Sequence, residues 1–380
     1  MDPTSDLLTR GVANIIPSKD ELEKVLHSDR KLNVYLGIDT TAPHLHLGHA
    51  VNLRKLKILV ELGHHVTFLI GDFTTRVGDN SDKDSERPIL TEAEIDANWQ
   101  TYKSQAEKIL DFSRVTLRRN SEWLAKLTFG DVLKLCQNFT LNDYISREIM
   151  KTKLAKGISV RLDEVLYPIM QGYDSWFMDT DIQIGAADQT FNMQAGRTLQ
   201  KRLRNKESFI LVNQYLTGTD GRKMSKSWGN AVWLDDSPND MYGKVMSIKD
   251  ELIDEYFLLA TNISGPATSK PMDSKKTLAH QIVLELQGAS AADSAQSYFE
   301  RTIQNKEMPL ERPVHHFDSP PTYIQALVQS GLAGSNSEAR RLYEQKGVRF
   351  EGQVVTDYQK PMTSLGTISV GSTKFVDVKW

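Results

Sequence analysis

NVYLGIDTTAPHLHLGH, Asn33 to His49, decides the fold. Its first residues, Asn33–Gly37 (NVYLG), read as a short buried strand. A loop holding Pro43 follows, and from about Leu47 the apolar residues recur at helical spacing. Further along, Val66–Gly71 (VTFLIG) is a continuous apolar run, as expected of a parallel strand covered on both faces. Arg114–Leu117 and Asp181–Gly185 are weaker strand candidates, and Phe209–Val212 (FILV) is a stronger one. Strands separated by helical stretches predict an α/β fold built on a doubly wound parallel sheet. Ligands of such sheets sit beyond the carboxyl ends of the strands. HLGH (His46–His49), GDFTTRVGD (Gly71–Asp79), GAADQ (Gly185–Gln189) and KMSKS (Lys223–Ser227) all follow strand candidates, so they are expected to converge on one crevice.

The remainder divides by pattern. From about Asp111 to Lys156 the sequence turns helical and reads as an insertion between the two halves of the sheet. Ser237 to Thr302 is helical again, with a loop near SGPATSKPMD. NKEMPLERPVHHFDSPP is rich in Pro and charge and reads as a linker. In the last stretch, Ser335 and Glu338 form a capping-box pattern before a helix that Gly347 is expected to stop. Glu351 and Gly352 then turn a hairpin. The predicted domains are 1–233, with the insertion at about 111–156, then 234–304, a linker at 305–318, and a small α+β domain at 319–380.

Composition narrows the function classes. The chain has 380 residues, 39% hydrophobic and 25% charged, as a soluble globular protein of two or three domains has. No apolar run approaches the roughly 18 residues a membrane span needs. The first residues, MDPTSDLLTRGV, lack the basic-then-apolar order of a secretory signal. The single cysteine, Cys136, excludes an internal disulfide, and its apolar helical setting reads as a buried structural thiol. A cytoplasmic, reducing location is expected. Net charge is −3, which advertises no nucleic-acid binding by itself. The segment SEARRLYEQKGVRF nonetheless gathers Arg340, Arg341, Lys346 and Arg349.

Two motifs point to phosphate. His46 and His49 lie three apart at the start of a helix, so they share a face, and Gly48 lets a nucleotide approach the backbone. A helix N-terminus also presents unpaired N–H groups and a partial positive charge. The competing readings are surface histidines or, with His44, zinc ligands; no thiol or fourth ligand stands nearby, so no metal site is expected. Lys223 and Lys226 lie in TGTDGRKMSKSWGN, a loop with Gly218, Gly221 and Gly229, which can fold over a triphosphate. A solvated basic turn is the alternative for that loop taken alone.

Taken together and in this order, HLGH and KMSKS look like the signature motifs of class I aminoacyl-tRNA synthetases. The chain resembles the bacterial-type tyrosyl-tRNA synthetases over essentially its whole length. The segments that carry the resemblance are VYLGIDTTAPHLHLGH, LIGDFTTRVGDNSDK, LYPIMQGYD, IQIGAADQTFN, GRKMSKS and SNSEARRLYEQKGVRFEGQVV, the last similar to an S4-type RNA-binding module. The resemblance implies a Rossmann-like catalytic domain, a helical domain that meets the anticodon arm, and an S4-like domain whose Arg340, Arg341 and Lys346 bind tRNA. It places Tyr35 and Asp174 at the substrate phenol. It places Asp79, Tyr167 and Gln171 at the substrate ammonium, with Asp39 nearby, and Gln189 at the carboxylate. Asp188 falls at the ATP ribose and Thr41 near the γ-phosphate. Gly37, Gly48, Gly185, Met224 and Ser225 fall at ATP, and His46, His49, Lys223 and Lys226 at its phosphates. Independently of the family, Tyr167, Gln171 and Asp174 have helical spacing of four and three, so one helix face could line a pocket.

The implied reaction attacks the ATP α-phosphate with the carboxylate of L-tyrosine, then transfers the tyrosyl group to the 3′ end of tRNA(Tyr). ATP with Mg²⁺ is the expected nucleotide, with no tightly bound cofactor. The family is a homodimer formed through the insertion, here FGDVLKLCQNFTLNDYI. Three departures stand out: Leu36 where some relatives carry a cysteine, Asn52 at a variable position, and Ala186 with Ala187 in place of the usual Gly followed by Gly, Ser or Thr. A tryptophanyl-tRNA synthetase shares both motifs, but an indole has no phenol for Tyr35 and Asp174 to read. A small HxGH nucleotidylyltransferase leaves the tail unexplained. A synthetase-like RNA-binding protein without catalysis does not need intact HLGH and KMSKS.

Overall fold

The structure is a computed structural model that describes residues 2–79, 90–225, 228–265, 270–305, 312–371 and 374–380. The chain forms two compact units, Met1–Ala289 and Ser290–Trp380.

The first unit is built on a six-stranded sheet. Its strands are β1 (Val12–Ile16), β2 (Asn33–Asp39), β3 (His65–Gly71), β4 (Val115–Arg119), β5 (Ile182–Ala186) and β6 (Phe209–Asn213). The spatial order is β1-β6-β5-β2-β3-β4. All neighbours run parallel except β1, which lies antiparallel against β6. The predicted strands are present, and their burial explains their composition: β6 is buried throughout, and Phe68 and Ile70 of β3 are fully buried. The edge strand β1 is additional.

Strand order reverses between β2 and β5. These two pair only at Val34↔Ile182 and Tyr35↔Gln183, whereas β2 and β3 stay paired along all of β2. Beyond Tyr35 the two strands part, and a crevice opens at their carboxyl ends, as the sheet topology predicts.

The helical insertion begins later than Asp111. Val115–Arg119 is β4, paired with β3, and the helices start at Ser121. Partnering with β3 overrides a local sequence whose only apolar β-formers are Val115 and Leu117. Cys136 ends the helix Phe129–Cys136 and is half-buried rather than buried; what burial it has pushes its thiol pKa up.

The second unit holds a five-stranded mixed sheet in the order β7-β11-β10-β8-β9. Its strands are β7 (Val314–His316), β8 (Val348–Phe350), β9 (Gln353–Val354), β10 (Gly366–Val370) and β11 (Lys374–Lys379). Val314–His316 falls inside the expected linker, yet it pairs parallel with β11. Three residues ahead of a Pro-rich stretch carry no strand signal of their own; β11 supplies the hydrogen bonds. The helix Asn336–Glu344 packs Ala339 and Tyr343 into a core with Leu327, Val348, Ile368 and Val378.

Two local expectations are corrected here. Ser335 caps the helix by accepting from Glu338 N–H, but Glu338 returns its carboxylate to Gly334 N–H at 2.8 Å rather than to Ser335. At the other end Lys346, not Gly347, takes the left-handed conformation, with φ +57°. Gly347 N–H then bonds Leu342 C=O at 2.9 Å and Lys346 N–H bonds Tyr343 C=O at 2.8 Å, which is the Schellman pattern. Glu351 (φ +46°) and Gly352 (φ +80°) make the expected two-residue hairpin turn of the I′ type between Phe350 and Gln353.

A lysine at a left-handed position is strained, because its Cβ crowds the backbone. Lys346→Gly should therefore raise the unfolding free energy of the tail by about 0.5–1 kcal/mol. Denaturant titration checks this, and an unchanged midpoint would contradict it.

Candidate functional site

The crevice between β2 and β5 is a cavity of about 1080 Å³. It gathers residues scattered along the first unit. Tyr35, Gly37, Asp39 and Thr41 come from β2 and the loop after it, and His46, Gly48 and His49 from the HLGH turn. Asp79 follows β3, and Tyr167, Gln171 and Asp174 come from the helix Leu162–Phe177. Gly185, Asp188 and Gln189 follow β5, and Lys223, Met224 and Ser225 belong to KMSKS. Lys226 lies outside the described residues. Arg340, Arg341 and Lys346 are exposed in the second unit and are no part of the crevice.

The HLGH turn is tied by backbone to the segment after KMSKS. Leu47 N–H donates to Val232 C=O at 2.9 Å, and Leu234 N–H donates to Leu45 C=O at 2.8 Å. The segment that follows KMSKS thus runs against the entrance of the HLGH helix, Leu47–Glu61. His46 stands at the N-cap; its N–H donates to His49 Nδ1 at 3.0 Å, and the two rings lie 3.8 Å apart. The rings are tilted by 34°, and a Cβ on Gly48 would stand 3.0 Å from the His46 ring, so glycine relieves a tight contact there. Lys223 Nζ sits 3.0 Å from Asp188 Oδ2 and over the Tyr215 ring. His44 turns away to Asp235, at 2.6 Å. Among the described residues no group of three or more His, Cys, Asp or Glu side chains is arranged to hold a metal ion.

The opposite wall is a set of carboxylates, each held by donors. Asp39 accepts from Thr74 Oγ1 at 2.8 Å and from the Tyr167 hydroxyl at 3.0 Å. Asp79 accepts from Gln189 Nε2 at 2.6 Å and Asn192 Nδ2 at 3.3 Å. Asp174, fully buried, accepts from Trp123 Nε1 at 2.7 Å and Asn120 Nδ2 at 3.1 Å. Neither Trp123 nor Asn120 was named from sequence; they lie at the start of the helical stretch, in no motif. Burial pushes the Asp174 carboxyl up to about 8 despite these two bonds. Burial, and then the Asp174 charge, hold the Tyr35 phenol well above its ordinary value.

The departures sort by face. Ala186 lines the crevice, whereas Ala187 packs against Met193, Ile210 and Val212. Leu36 and Asn52 line it too, and Asn52 accepts from Asn213 Nδ2 at 2.8 Å.

A mostly parallel sheet whose crevice is lined by HLGH and by the start of KMSKS marks the chain as a class I synthetase, and the sequence comparisons agree on that class. A family model described as tRNA synthetases class I (W and Y) matches residues 27–304. Tyrosine–tRNA ligase from Thermotoga maritima is 39% identical over 383 residues, covering 97% of this chain and 95% of the relative. The tyrosine–tRNA ligase of Moorella thermoacetica is 40% identical over 367 residues, covering 92% and 89%. The chain belongs to the tyrosine–tRNA ligase family of class I aminoacyl-tRNA synthetases. Among solved structures, the C-terminally truncated mitochondrial tyrosyl-tRNA synthetase of Aspergillus nidulans superposes with a TM-score of 0.65 at 22% identity, covering 78% of this chain and 93% of that one. The tyrosyl-tRNA synthetase of Archaeoglobus fulgidus, solved with L-tyrosine, gives 0.61 at 22% identity, covering 78% and 100%; at this identity both attest the fold.

The buried Asp174 carboxyl carries a pH signature. Below its ordinary value of 3.8 the folded and unfolded chains both hold the proton; from there to about 8 only the folded chain does. Rising pH across that window therefore takes stability from the native state. Asp174→Asn has no such proton, so its melting temperature relative to wild type should climb as pH goes from 4 to 8. Calorimetry across that range checks this; a pH-independent difference would mean the carboxyl is ionised in the fold.

Proposed function

We propose that the crevice activates L-tyrosine with ATP and that the tyrosyl group then passes to the 3′ end of tRNA(Tyr). The observation that carries this reading is the single cavity that holds HLGH, the start of KMSKS and the Tyr35–Asp174 pair. Tyr35 and Asp174 take the substrate phenol at the buried end. Asp79, Tyr167 and Gln171 take the ammonium, with Asp39 orienting Tyr167 through its 3.0 Å bond. Gln189 faces the carboxylate.

ATP occupies the other end. Gly37, Gly48, Gly185, Met224 and Ser225 surround the nucleotide, and Asp188 meets the ribose. Because Lys223 holds Asp188 here, arrival of the ribose hydroxyls displaces that lysine and frees it for the phosphates. Thr41, His46, His49 and Lys226 complete the phosphate contacts. The attacking carboxylate is ionised at neutral pH, so the first step needs no general base; it needs alignment and neutralisation of charge growing on the phosphates. Mg²⁺ is expected to accompany ATP on its triphosphate.

We read residues 1–233 as a doubly wound, Rossmann-like catalytic domain and 234–304 as the helical domain that meets the anticodon arm. The tail is an S4-like RNA-binding module, extended to include β7. Exposed Arg340, Arg341 and Lys346 support phosphate contacts; adjacent arginines diverge by about 100°, so Arg340 and Arg341 engage different phosphates. Phe129, Leu133 and Leu141 are exposed in the insertion, which supports a homodimer that covers them.

Amino-acid-dependent ATP–pyrophosphate exchange tests the reading: tyrosine alone among the protein amino acids should drive rapid exchange, and exchange driven by tryptophan instead would refute it. Deleting residues 312–380 should leave tyrosine-driven exchange near the full-length rate and lower tRNA charging by at least about tenfold, through lost phosphate contacts. A truncated chain that charges tRNA at the full rate would remove the tail from the reaction.

A further inference from the structure

The loop that carries KMSKS opens with a hairpin. Gly218 N–H donates to Arg222 C=O at 2.6 Å, and Met224 N–H donates to Leu216 C=O at 3.2 Å. Its root is anchored on the helix Ile253–Ala260: the Tyr256 hydroxyl donates to Thr217 C=O at 2.7 Å, and Glu255 accepts from the Thr217 hydroxyl at 2.9 Å. At the far end stands Asn230, 2% exposed and no part of the crevice wall. Every hydrogen of its amide is used. Nδ2 donates to Asp220 Oδ1 at 2.8 Å and to Lys223 C=O at 3.1 Å, and Oδ1 accepts from Ser225 N–H at 2.9 Å. A carbonyl and a carboxylate only accept and a peptide N–H only donates, so the amide has one possible orientation. Gly218 makes room for it, since a Cβ there would collide with the amide.

These bonds fasten the two peptide groups that flank Met224 and leave the lysine side chains free. Lys223, 3.0 Å from Asp188, can then swing without moving its backbone. We propose that Asn230 is a positioning residue for adenylation: it clasps the first half of KMSKS, so that Lys223, and the chain leading on to Lys226, start from a fixed backbone when they meet the phosphates of ATP. This rests on the reading that KMSKS serves those phosphates. A backbone already in place leaves only side-chain freedom to be lost as the transition state forms.

Asn230→Asp tests the clasp. It keeps the shape and the acceptor for Ser225 but sets an oxygen against the Asp220 carboxylate and the Lys223 carbonyl. At about pH 8 the rate of ATP–pyrophosphate exchange per tyrosine-binding site should fall at least about tenfold, the effect of two lost donors, while the KM for tyrosine stays within about twofold. Counting sites by tyrosine binding keeps unfolded protein out of the rate. In the wild type the Asn230 amide, and then Arg222 N–H, hold the Asp220 carboxyl down to about 2. The substitution removes the first of these and adds a second carboxyl, and two carboxyls so close share a proton once one is supplied. The charged and titratable groups around the pair are Arg222, Lys223, Lys249, Glu255 and Tyr256, none of a type that titrates between about pH 6 and 8. Lowering the pH to about 6 should therefore restore the bridge and raise the variant-to-wild-type ratio by about threefold or more. Asn230→Ala loses the clasp without gaining a carboxyl, so it should show the lost rate and the kept tyrosine KM with a ratio flat in pH. A wild-type rate per site in either variant would overturn the proposal, as would a pH-flat ratio in Asn230→Asp or a tyrosine KM that rises with the lost rate. The double variant Lys223→Ala with Lys226→Ala separates the two levels of inference. If it exchanges at the wild-type rate, the reading of KMSKS at the phosphates fails. If it is slow while the Asn230 variants are fast, only the role of Asn230 fails.

Discussion

The pairing of β2 with β5 is the constraint on which the site depends. Two residue pairs, Val34↔Ile182 and Tyr35↔Gln183, close the seam where strand order reverses. Had the strands stayed paired to their ends, Gly37, Asp39 and Gly185 would be sheet interior. Because they part, those residues become walls. The seam also fixes which side chains stand back to back. Alternation along β2 and β5 then assigns each residue a side, and a slip of one position would exchange those sides.

Carving a polar cavity from a sheet leaves carboxylates half-buried, as Asp39 is, or buried, as Asp79 and Asp174 are. Asp39, Asp79 and Asp174 each receive at least two hydrogen bonds from neighbouring side chains. These donors come from several elements: Thr74 from the turn after β3, Trp123 from the stretch after β4, and Tyr167 from the helix before β5. The wall is thus preset before any substrate arrives, and little reorganisation is left for binding. Asp174 is the extreme case, since even two donors do not offset its burial.

Much of this was legible in the sequence because parallel strands buried on both faces must be apolar runs. VTFLIG and FILV could hardly be anything else. Short strands were less visible. β1 and β7 owe their existence to a neighbour's hydrogen bonds, and VHH has no pattern to read. The helix stop shows a second limit. Sequence rules assign the left-handed residue to glycine, but here Lys346 takes it and Gly347 supplies the next N–H. Crevice residues that lie within motifs could be named from sequence, while Trp123 and Asn120, which lie in none, could not. Their work is to hold other side chains, and such work depends on tertiary contact rather than on spacing.

The loop from Thr40 to Leu45 has a support of the same hidden kind. Asn98 donates to Thr40 C=O at 2.9 Å, and the Tyr102 hydroxyl donates to Ala42 C=O at 2.6 Å. Gln105 donates to Pro43 C=O at 2.8 Å and accepts from Leu45 N–H. Asn98, Tyr102 and Gln105 fall four and three apart on the helix Glu92–Ala106, the same spacing as Tyr167, Gln171 and Asp174. One helix face lines the crevice; another grips the backbone that leads into HLGH. A genetic screen for lost charging activity will therefore collect lesions on a helix that lines no part of the crevice. Directed evolution that leaves this helix alone can vary the crevice walls without losing the scaffold that aims them.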